Sequence, residues 1–347
     1  MKAVAGVASG AGIAAVRTHF RLAMFAGILL LGLLTGASLF VGVRPVSPTT
    51  VLRAFLAFDA ASFDAVVIRD YRLPRTLLGL LAGAAFGVSG ALIQAMTRNP
   101  LADPGILGVN AGAAFGMILA VWLLDLQSAW SSLGFAFLGA LVITAAVYAI
   151  GASGRSGASP LRLVLAGVAL SAVLGGVGSA IALLDPDVFE GMRHWSIGAL
   201  AGRDMGIVAM VTPFILAGLT IGLAVAPPLN AIGLGDDLAR AFGVGIGRLR
   251  LLVILAVTLL AGAATAAVGP IGFVGLMVPH AVRWFTGPDQ RRIIPATMLF
   301  APILLLAADI AGRLVLFPDE LEAGIVTAAL GAPVLILLAR RTGAHGL

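Results

Sequence analysis

The sequence predicts an all-α polytopic membrane protein with about ten transmembrane helices. Of its 347 residues, 60% are hydrophobic and only 11% are charged, and the mean hydropathy is +1.08. A soluble domain normally carries about 25% charged residues, so this composition excludes an ordinary soluble fold. Apolar runs near the ~20 residues that cross a bilayer recur along the whole chain.

Ten segments have the length and hydrophobicity of a membrane span. We predict them near residues 22–43, 74–96, 106–124, 131–151, 162–184, 205–226, 250–268, 272–286, 293–315 and 323–340. The first segment is too long for the hydrophobic part of a signal peptide, so we expect a retained span. The stretch "GPIGFVGLMVPH" (269–280) is short and interrupted by Gly and Pro, which predicts a broken span or half-span there.

The distribution of basic residues predicts the orientation of these spans. With the N-terminus inside, fourteen Lys and Arg residues lie on the cytoplasmic side and eight lie outside. Because basic residues accumulate in cytoplasmic loops, this count favours cytoplasmic N- and C-termini. The same rule accounts for the pI of 11.1 without a nucleic-acid partner. We expect cytoplasmic tails at 1–20 and 342–347 and a single membrane domain at 21–341.

The chain has no residues for ATP hydrolysis or for enzymatic chemistry. Lys2 is its only lysine, so a P-loop lysine is missing. The four His residues are scattered without metal-ligand spacing, and there is no Cys. We therefore predict no catalytic residues, no metal site and no cofactor bound by this chain.

One carboxylate lies well inside a predicted span. Asp309 is followed by Arg313 one turn later, on the same helix face. The two residues either neutralise each other as a structural pair or act at the outer mouth of a transport path. A proton relay normally needs several such groups, so an ion-coupled secondary transporter is the weaker alternative.

A short polar helix is predicted between the sixth and seventh spans, on the cytoplasmic side. The residues predicted to form this helix and its two ends are Gly235, Asp236, Asp237, Leu238, Ala239, Arg240, Ala241, Phe242 and Gly243. Two carboxylates occupy the first turn, where the helix dipole favours them, and Gly243 offers a stop. Leu238, Ala241 and Phe242 form one apolar face. Such a helix lies on lipid headgroups or inserts into a groove of a partner protein, and the residues leave both possibilities open.

Four stretches in order along the chain are similar to one protein family. They are "RLPRTLLGLLAGAAFGVSGALIQAMTRNPLADPGILGVNAGAAFG" (72–116), "LNAIGLGDDLARAFGV" (229–244), "GPIGFVGLMVPHAVRW" (269–284) and "DELEAGIVTAALGAPVLILL" (319–338). Together they resemble the permease subunits of bacterial ABC importers for vitamin B12, haem and iron–siderophores, the FecCD family. The resemblance covers the chain from about residue 20 onward.

This resemblance implies the type II ABC importer permease fold in the bacterial cytoplasmic membrane. It implies a second permease subunit, in a homodimer or a heterodimer, and two separate ATPase subunits that bind ATP and Mg. It also implies a periplasmic or lipid-anchored substrate-binding protein. Residues 229–246 would carry the coupling helices, so docking on the ATPase becomes the favoured role of the polar helix.

The resemblance also implies roles for two further groups of residues. Arg72 and Arg75 of "RLPR", together with Arg313, would pair with carboxylates of the binding protein, with interfacial snorkelling as the alternative. The candidate cytoplasmic gate is Ser153, Gly154 and Ser156 in "GASGRSGASP" (151–160). Gly and Ser are equally common in ordinary loops, so a loop without a gating role is the alternative.

Two stretches point to the cargo. Residues 91–113 and "RHWSIGALAGRDM" (193–205) look most like permeases for ferric catecholate siderophores of the enterobactin type. The resemblance therefore implies an iron–siderophore importer. Haem and cobalamin remain open, because the residues of the spans themselves do not decide among these cargoes.

Overall fold

The computed structural model describes residues 10–42, 46–57, 59–126, 129–153, 159–316 and 318–342, which are mostly helical. The α-helices in these ranges are α1 (Gly10–Phe40), α2 (Pro48–Leu56), α3 (Phe63–Val66), α4 (Leu73–Thr97), α5 (Val109–Leu124), α6 (Ala129–Ala152), α7 (Pro160–Leu184), α8 (Pro186–Trp195), α9 (Met205–Ile232), α10 (Asp236–Ala241), α11 (Ile246–Val268), α12 (Val274–Thr286), α13 (Gln290–Val315) and α14 (Ala323–Thr342). A π-helical turn (Val67–Arg72) leads into α4, and a 3-10 turn (Pro104–Leu107) precedes α5.

Seven helical segments in the described part are long and apolar enough to cross a membrane. They are His19–Phe40, Phe63–Thr97, Trp130–Ala152, Pro160–Leu184, Met205–Ile232, Ile246–Val268 and Gln290–Val315. The three remaining predicted spans coincide with the shorter helices α5, α12 and α14. An all-helical, multi-pass membrane fold is therefore confirmed, while the count of ten depends on these three helices.

The half-span predicted near residue 272 is present. Helix α11 ends at Val268, residues 269–273 are not helical, and α12 has only 13 residues. Thirteen residues rise about 20 Å, less than the hydrocarbon core of a bilayer. Gly275, near the start of α12, packs so tightly on α4 that a Cβ at Gly90 would overlap its carbonyl group. The irregular backbone is thus enclosed by protein, which is where non-helical structure is tolerated at membrane depth.

The connection between α4 and α5 also packs inside the bundle. Asp103 begins the 3-10 turn by accepting a hydrogen bond from the Gly105 N–H at 2.8 Å. The carbonyl oxygen of Ile106 occupies the position that a Cβ on Gly167, in the first half of α7, would take. This connection shortens α5 to 16 residues, which explains why its span is shorter than the sequence predicts.

Helices α4 and α11 form the centre of the bundle, and α1 and α7 lie at its periphery. Most residues of the two central helices are buried, whereas few residues of the peripheral pair are buried. Small residues allow close contact at the centre: a Cβ on Gly83 would lie 2.6 Å from the Cα of Pro302 in α13. The exposed apolar surface of α1 and α7 is suited to lipid or to another membrane helix.

Helix α4 joins two opposite faces of the bundle. Its 25 residues place these faces about 37 Å apart. At its start lies the arginine face, which we define by Arg72, Arg75 and Arg313. At its end, Arg98 lies 3.7 Å from Asp236 of α10. We call this opposite end the α10 face.

Two segments have helix bounds other than those predicted. Helix α1 begins at Gly10, so the helix extends into the segment 1–20 that was predicted as a tail, and residues 1–9 and 343–347 lie outside the described ranges. Between Ile232 and Ile246 the structure has one short helix, α10, where the resemblance implied coupling helices over 229–246.

Candidate functional site

Arg75 occupies the centre of the arginine face and joins three elements. Its Nε donates to both carboxylate oxygens of Asp309, at 3.0 and 3.1 Å, and Nη2 donates to Oδ1 at 2.8 Å. Nη1 donates to Oε2 of Glu320 at 2.6 Å. The side chain of Arg75 is only 12% exposed. Bidentate, charge-assisted contacts of this kind fix geometry, so α4 is held against α13 and against the segment before α14.

Arg313 binds the same carboxylate from the other side and closes the end of α1. It donates a hydrogen bond to Asp309, one turn earlier in α13. Its Nη1 donates to the carbonyls of Ser38 (2.7 Å) and Val41 (2.9 Å). The last carbonyls of a helix lack partners within it, and Arg313 supplies one. The structural-pair alternative for Asp309 and Arg313 thus matches the observed geometry.

Arg72 has a similar position at the end of α1. Its Nη1 donates to the carbonyls of Leu39 (2.8 Å) and Phe40 (2.9 Å). Gly42 leaves room for this guanidinium, because a Cβ there would lie 2.8 Å from Nη2. Arg72 and Arg313 together provide donors for four carbonyls at the end of α1, which fixes that helix to α4 and α13.

The three predicted docking arginines line one cavity of about 300 Å³, the arginine cavity. All three are already engaged by acceptors within the chain, and their low exposure does not match side chains that snorkel into water. Their contacts give them a role in holding the arginine face together. Docking of a binding protein on these residues stays a prediction.

A second cavity, of about 440 Å³, lies beside the arginine cavity. Ala201 and Gly202 line both cavities. Arg203 and Glu322 line the second cavity but not the arginine cavity. We call the second cavity the Arg203 cavity. Arg203 is one of the eight basic residues predicted on the outer side of the membrane.

Helix α10 presents its apolar face outward on the opposite side of the bundle. Leu238 and Phe242 are 53% and 70% exposed, and Ala241 is exposed beside them. Ala239 is fully buried and turns the opposite side of α10 toward the bundle. The predicted apolar face therefore exists and is largely exposed.

The carboxylate of Asp236 connects α10 to the membrane helices. Oδ2 of Asp236 accepts from Nη2 of Arg250, in α11, at 2.7 Å, and Oδ1 lies 3.7 Å from Nη2 of Arg98. Asp237 instead points into solvent and pairs with Arg240 at 3.0 Å. Asp236 therefore links α10 to the end of α4 and the start of α11, a contact that helix-dipole reasoning alone missed.

Backbone conformation sets the two ends of α10. Gly235 has φ = +108° and Gly243 has φ = +80°, a region that suits glycine. The N–H of Gly243 donates to the carbonyl of Arg240, and the N–H of Val244 to that of Ala239. The predicted glycine stop is confirmed, and it turns the chain directly into α11.

The candidate gate is only partly within the described ranges. Ser153 is exposed at the end of α6, and its hydroxyl donates to the Ile150 carbonyl at 2.7 Å. Gly154 and Ser156 lie outside the described residues. The gate stays a prediction.

Comparison with known proteins identifies the family. Residues 28–341 match the model of the FecCD transport family. The chain belongs to the FecCD transport family. It is 49% identical over 315 residues to the ferric enterobactin transport system permease protein FepD of Escherichia coli (strain K12), covering 90% of this chain and 93% of that protein.

Two further similarities support this assignment. The chain is 39% identical over 326 residues to the Fe(3+)-citrate import system permease protein YfmD of Bacillus subtilis (strain 168), covering 94% of this chain and 96% of that protein. A solved inward-facing structure described as a metal-chelate type ABC transporter superposes with a TM-score of 0.80 at 28% identity, covering 92% and 99% of the two chains. This FecCD member is thus a multi-pass protein of the inner membrane and a transport subunit, not an enzyme.

Proposed function

We propose that this chain is a permease subunit that carries a ferric catecholate siderophore from a substrate-binding protein across the cytoplasmic membrane. A permease role in an ABC importer for iron complexes follows from the family and from the relatives named above. The 49% identity to a permease named for ferric enterobactin carries the choice of a catecholate cargo.

In this proposal ten helices span the membrane, with both termini in the cytoplasm. The spans are the seven long helices together with α5, α12 and α14. The arginine face is then periplasmic and the α10 face cytoplasmic, in keeping with fourteen basic residues inside against eight outside. The membrane domain comprises residues 21–341.

The energy source lies on other subunits. Lys2 is the only lysine, so ATP and Mg bind to separate ATPase subunits. Helix α10 docks in a cleft of the ATPase, and the exposure of Leu238 and Phe242 supports this role. Asp236 transmits displacement of α10 to α4 and α11 through its contacts with Arg98 and Arg250.

The remaining partners complete the importer. A second permease subunit, identical or different, packs beside this one around the transport path. The periplasmic or lipid-anchored binding protein docks on the face that carries Arg72, Arg75 and Arg313. In this arrangement the segment containing Ser153, Gly154 and Ser156 lies near the cytoplasmic gate.

Uptake measurements test the choice of cargo. A strain that lacks this gene is given radioactive iron as a ferric tris-catecholate complex, with and without the gene restored. Ferric citrate, haem and labelled cobalamin are tested in parallel. We expect restored uptake of the catecholate complex. Restoration of only haem or cobalamin uptake would show that the cargo assignment is wrong while leaving the permease role intact.

A further inference from the structure

Arg203 differs from the three arginines of the arginine face because it lacks a comparable set of partners. It follows Gly202 (φ = +72°) and precedes Asp204, which caps α9 by accepting from the Ile207 N–H at 2.9 Å. The Nε of Arg203 is buried and has no hydrogen-bond partner in the described part of the chain. Burial lowers the pKa of Arg203.

The cavity beside Arg203 has both the size and the surface of a ligand site. Its volume of about 440 Å³ falls within the range of about 300–1,000 Å³ typical of small-molecule pockets. Met117, Leu133 and Trp195 provide apolar and aromatic wall, and Ser132 and Glu322 provide polar groups. No ion pair joins Glu322 to Arg203 in the described part of the chain, so no described side chain of the cavity neutralises the guanidinium.

An incompletely paired, partly buried guanidinium carries a desolvation penalty that an anionic ligand would offset. A ferric tris-catecholate complex has such a charge: three catecholate dianions around Fe³⁺ leave a net charge of −3. Its oxygens and its aromatic rings both suit arginine, which pairs with oxygen anions and stacks on aromatic faces. Glu322 offers an acceptor to the amide N–H groups that catecholamide ligands carry.

We propose that the Arg203 cavity is a cargo-binding site at the periplasmic mouth of the permease, where Arg203 binds the anionic oxygens of the iron complex. This proposal rests on the proposed import of a ferric siderophore. A carboxylate side chain from a docked binding protein would satisfy Arg203 but would leave the apolar wall of Met117, Leu133 and Trp195 unfilled. The volume and lining of the cavity therefore favour cargo over a protein side chain.

The test uses the complete transporter, reconstituted in lipid with its ATPase and binding protein. The variants are Arg203→Gln, which removes the charge, and Arg203→Lys, which keeps it. Arg193→Gln is the matched control, because Arg193 lies in the same region but is exposed and paired with Glu190 at 3.4 Å. One assay measures transport of a ferric tris-catecholate from the loaded binding protein. A second measures the affinity of the transporter for the unloaded binding protein.

We expect Arg203→Gln to lower the transport rate at least tenfold, Arg203→Lys to retain a larger share, and Arg193→Gln to transport normally. Affinity for the unloaded binding protein should be unchanged in all three. Thermal stability of Arg203→Gln should equal or exceed that of the unmodified protein, because Nε has no partner to lose.

Three results separate the possibilities. Normal transport by Arg203→Gln overturns the proposal. A loss of affinity for the unloaded binding protein that parallels the loss of transport also overturns it, because Arg203 would then bind that protein. If the unmodified transporter moves no ferric tris-catecholate, the proposed cargo is wrong; the same variants are then assayed with ferric citrate and haem, which are also anionic. A loss of transport in the Arg203 variants but not in Arg193→Gln supports the site. Normal transport of these cargoes by the Arg203 variants rejects it.

Discussion

Two Asp–Arg pairs on opposite faces of this molecule have similar spacing and entirely different surroundings. On the arginine face, Asp309 and Arg313 are four residues apart and their side chains are 1% and 2% exposed. On the α10 face, Asp237 and Arg240 are three residues apart and are 99% and 61% exposed. An ion pair in water contributes about 0–1 kcal/mol, whereas loss of one partner of a buried pair costs several times more.

The two faces also differ in the two properties expected of a docking surface, charge and exposure. Arg72, Arg75 and Arg313 have the charge expected of a docking site but bind acceptors within the chain. Leu238 and Phe242 have no charge and are exposed on a short helix outside the membrane spans. The arginine face is therefore built to keep its helices in place, and the α10 face presents an uncovered apolar surface.

The largest effect is expected from Asp309→Asn. This change removes the charge that both Arg75 and Arg313 bind, and it leaves two guanidinium groups without their shared partner. We expect a loss of about 3–5 kcal/mol in the free energy of unfolding, from the cost of breaking a buried pair. Thermal unfolding of the purified permease and its level in membranes both report this loss.

Asp237→Asn is the matched control, since its carboxylate is exposed and its partner Arg240 remains solvated. It should change stability by less than about 1 kcal/mol. Equal, small effects of both substitutions would show that the surroundings of the two pairs do not determine their energetics.

The spans were predictable from sequence because hydrophobicity over about 20 residues is a local property. The half-span at α12 was predictable for the same reason, since Gly and Pro interrupt the apolar run at 269–280. The contact of Arg75 with Asp309 joins residues 234 positions apart. Nothing in the sequence near either residue indicates it, because the contact depends on how α4 packs on α13.

The candidate sites also differ in whether local sequence or the packing of distant elements determines them. The apolar face of α10 follows from residue spacing within one helix, and the structure shows it. The attachment of α10 through Asp236 and Arg250, and the cavity at Arg203, depend on the packing of separate elements. Charge patterns along the chain located the residues, but they did not show that Arg75 binds Asp309 or that Nε of Arg203 has no hydrogen-bond partner in the described part of the chain.

The next largest effect is expected from Phe242→Ala on association with the ATPase. Phe242 is 70% exposed and packs little within the subunit, so membrane levels of the permease should stay normal. Truncation of an aromatic anchor at an interface costs about 2 kcal/mol or more, roughly a thirtyfold loss of affinity. Uptake should fall accordingly, and co-purification of the ATPase measures the loss directly.

Leu183→Ala is the control for Phe242, because Leu183 is also an exposed apolar residue but lies at the end of α7. It should leave both ATPase association and uptake unchanged. If Phe242→Ala instead lowered the amount of permease in the membrane, Phe242 would have a structural role and the docking assignment would fail.

The smallest effect concerns the backbone that shapes the α10 face. Gly243 has φ = +80°, and a Cβ there would meet no atom within 4 Å, so Gly243→Ala has a purely conformational cost. We expect a loss of about 1–2 kcal/mol in the free energy of unfolding. Gly247→Ala is matched, since Gly247 also has open space but lies in the first turn of α11, where alanine favours helix by up to about 1 kcal/mol. Thermal unfolding should therefore shift in opposite directions for the two variants. A shift in the same direction would contradict the conformational cost assigned to the left-handed backbone at Gly243.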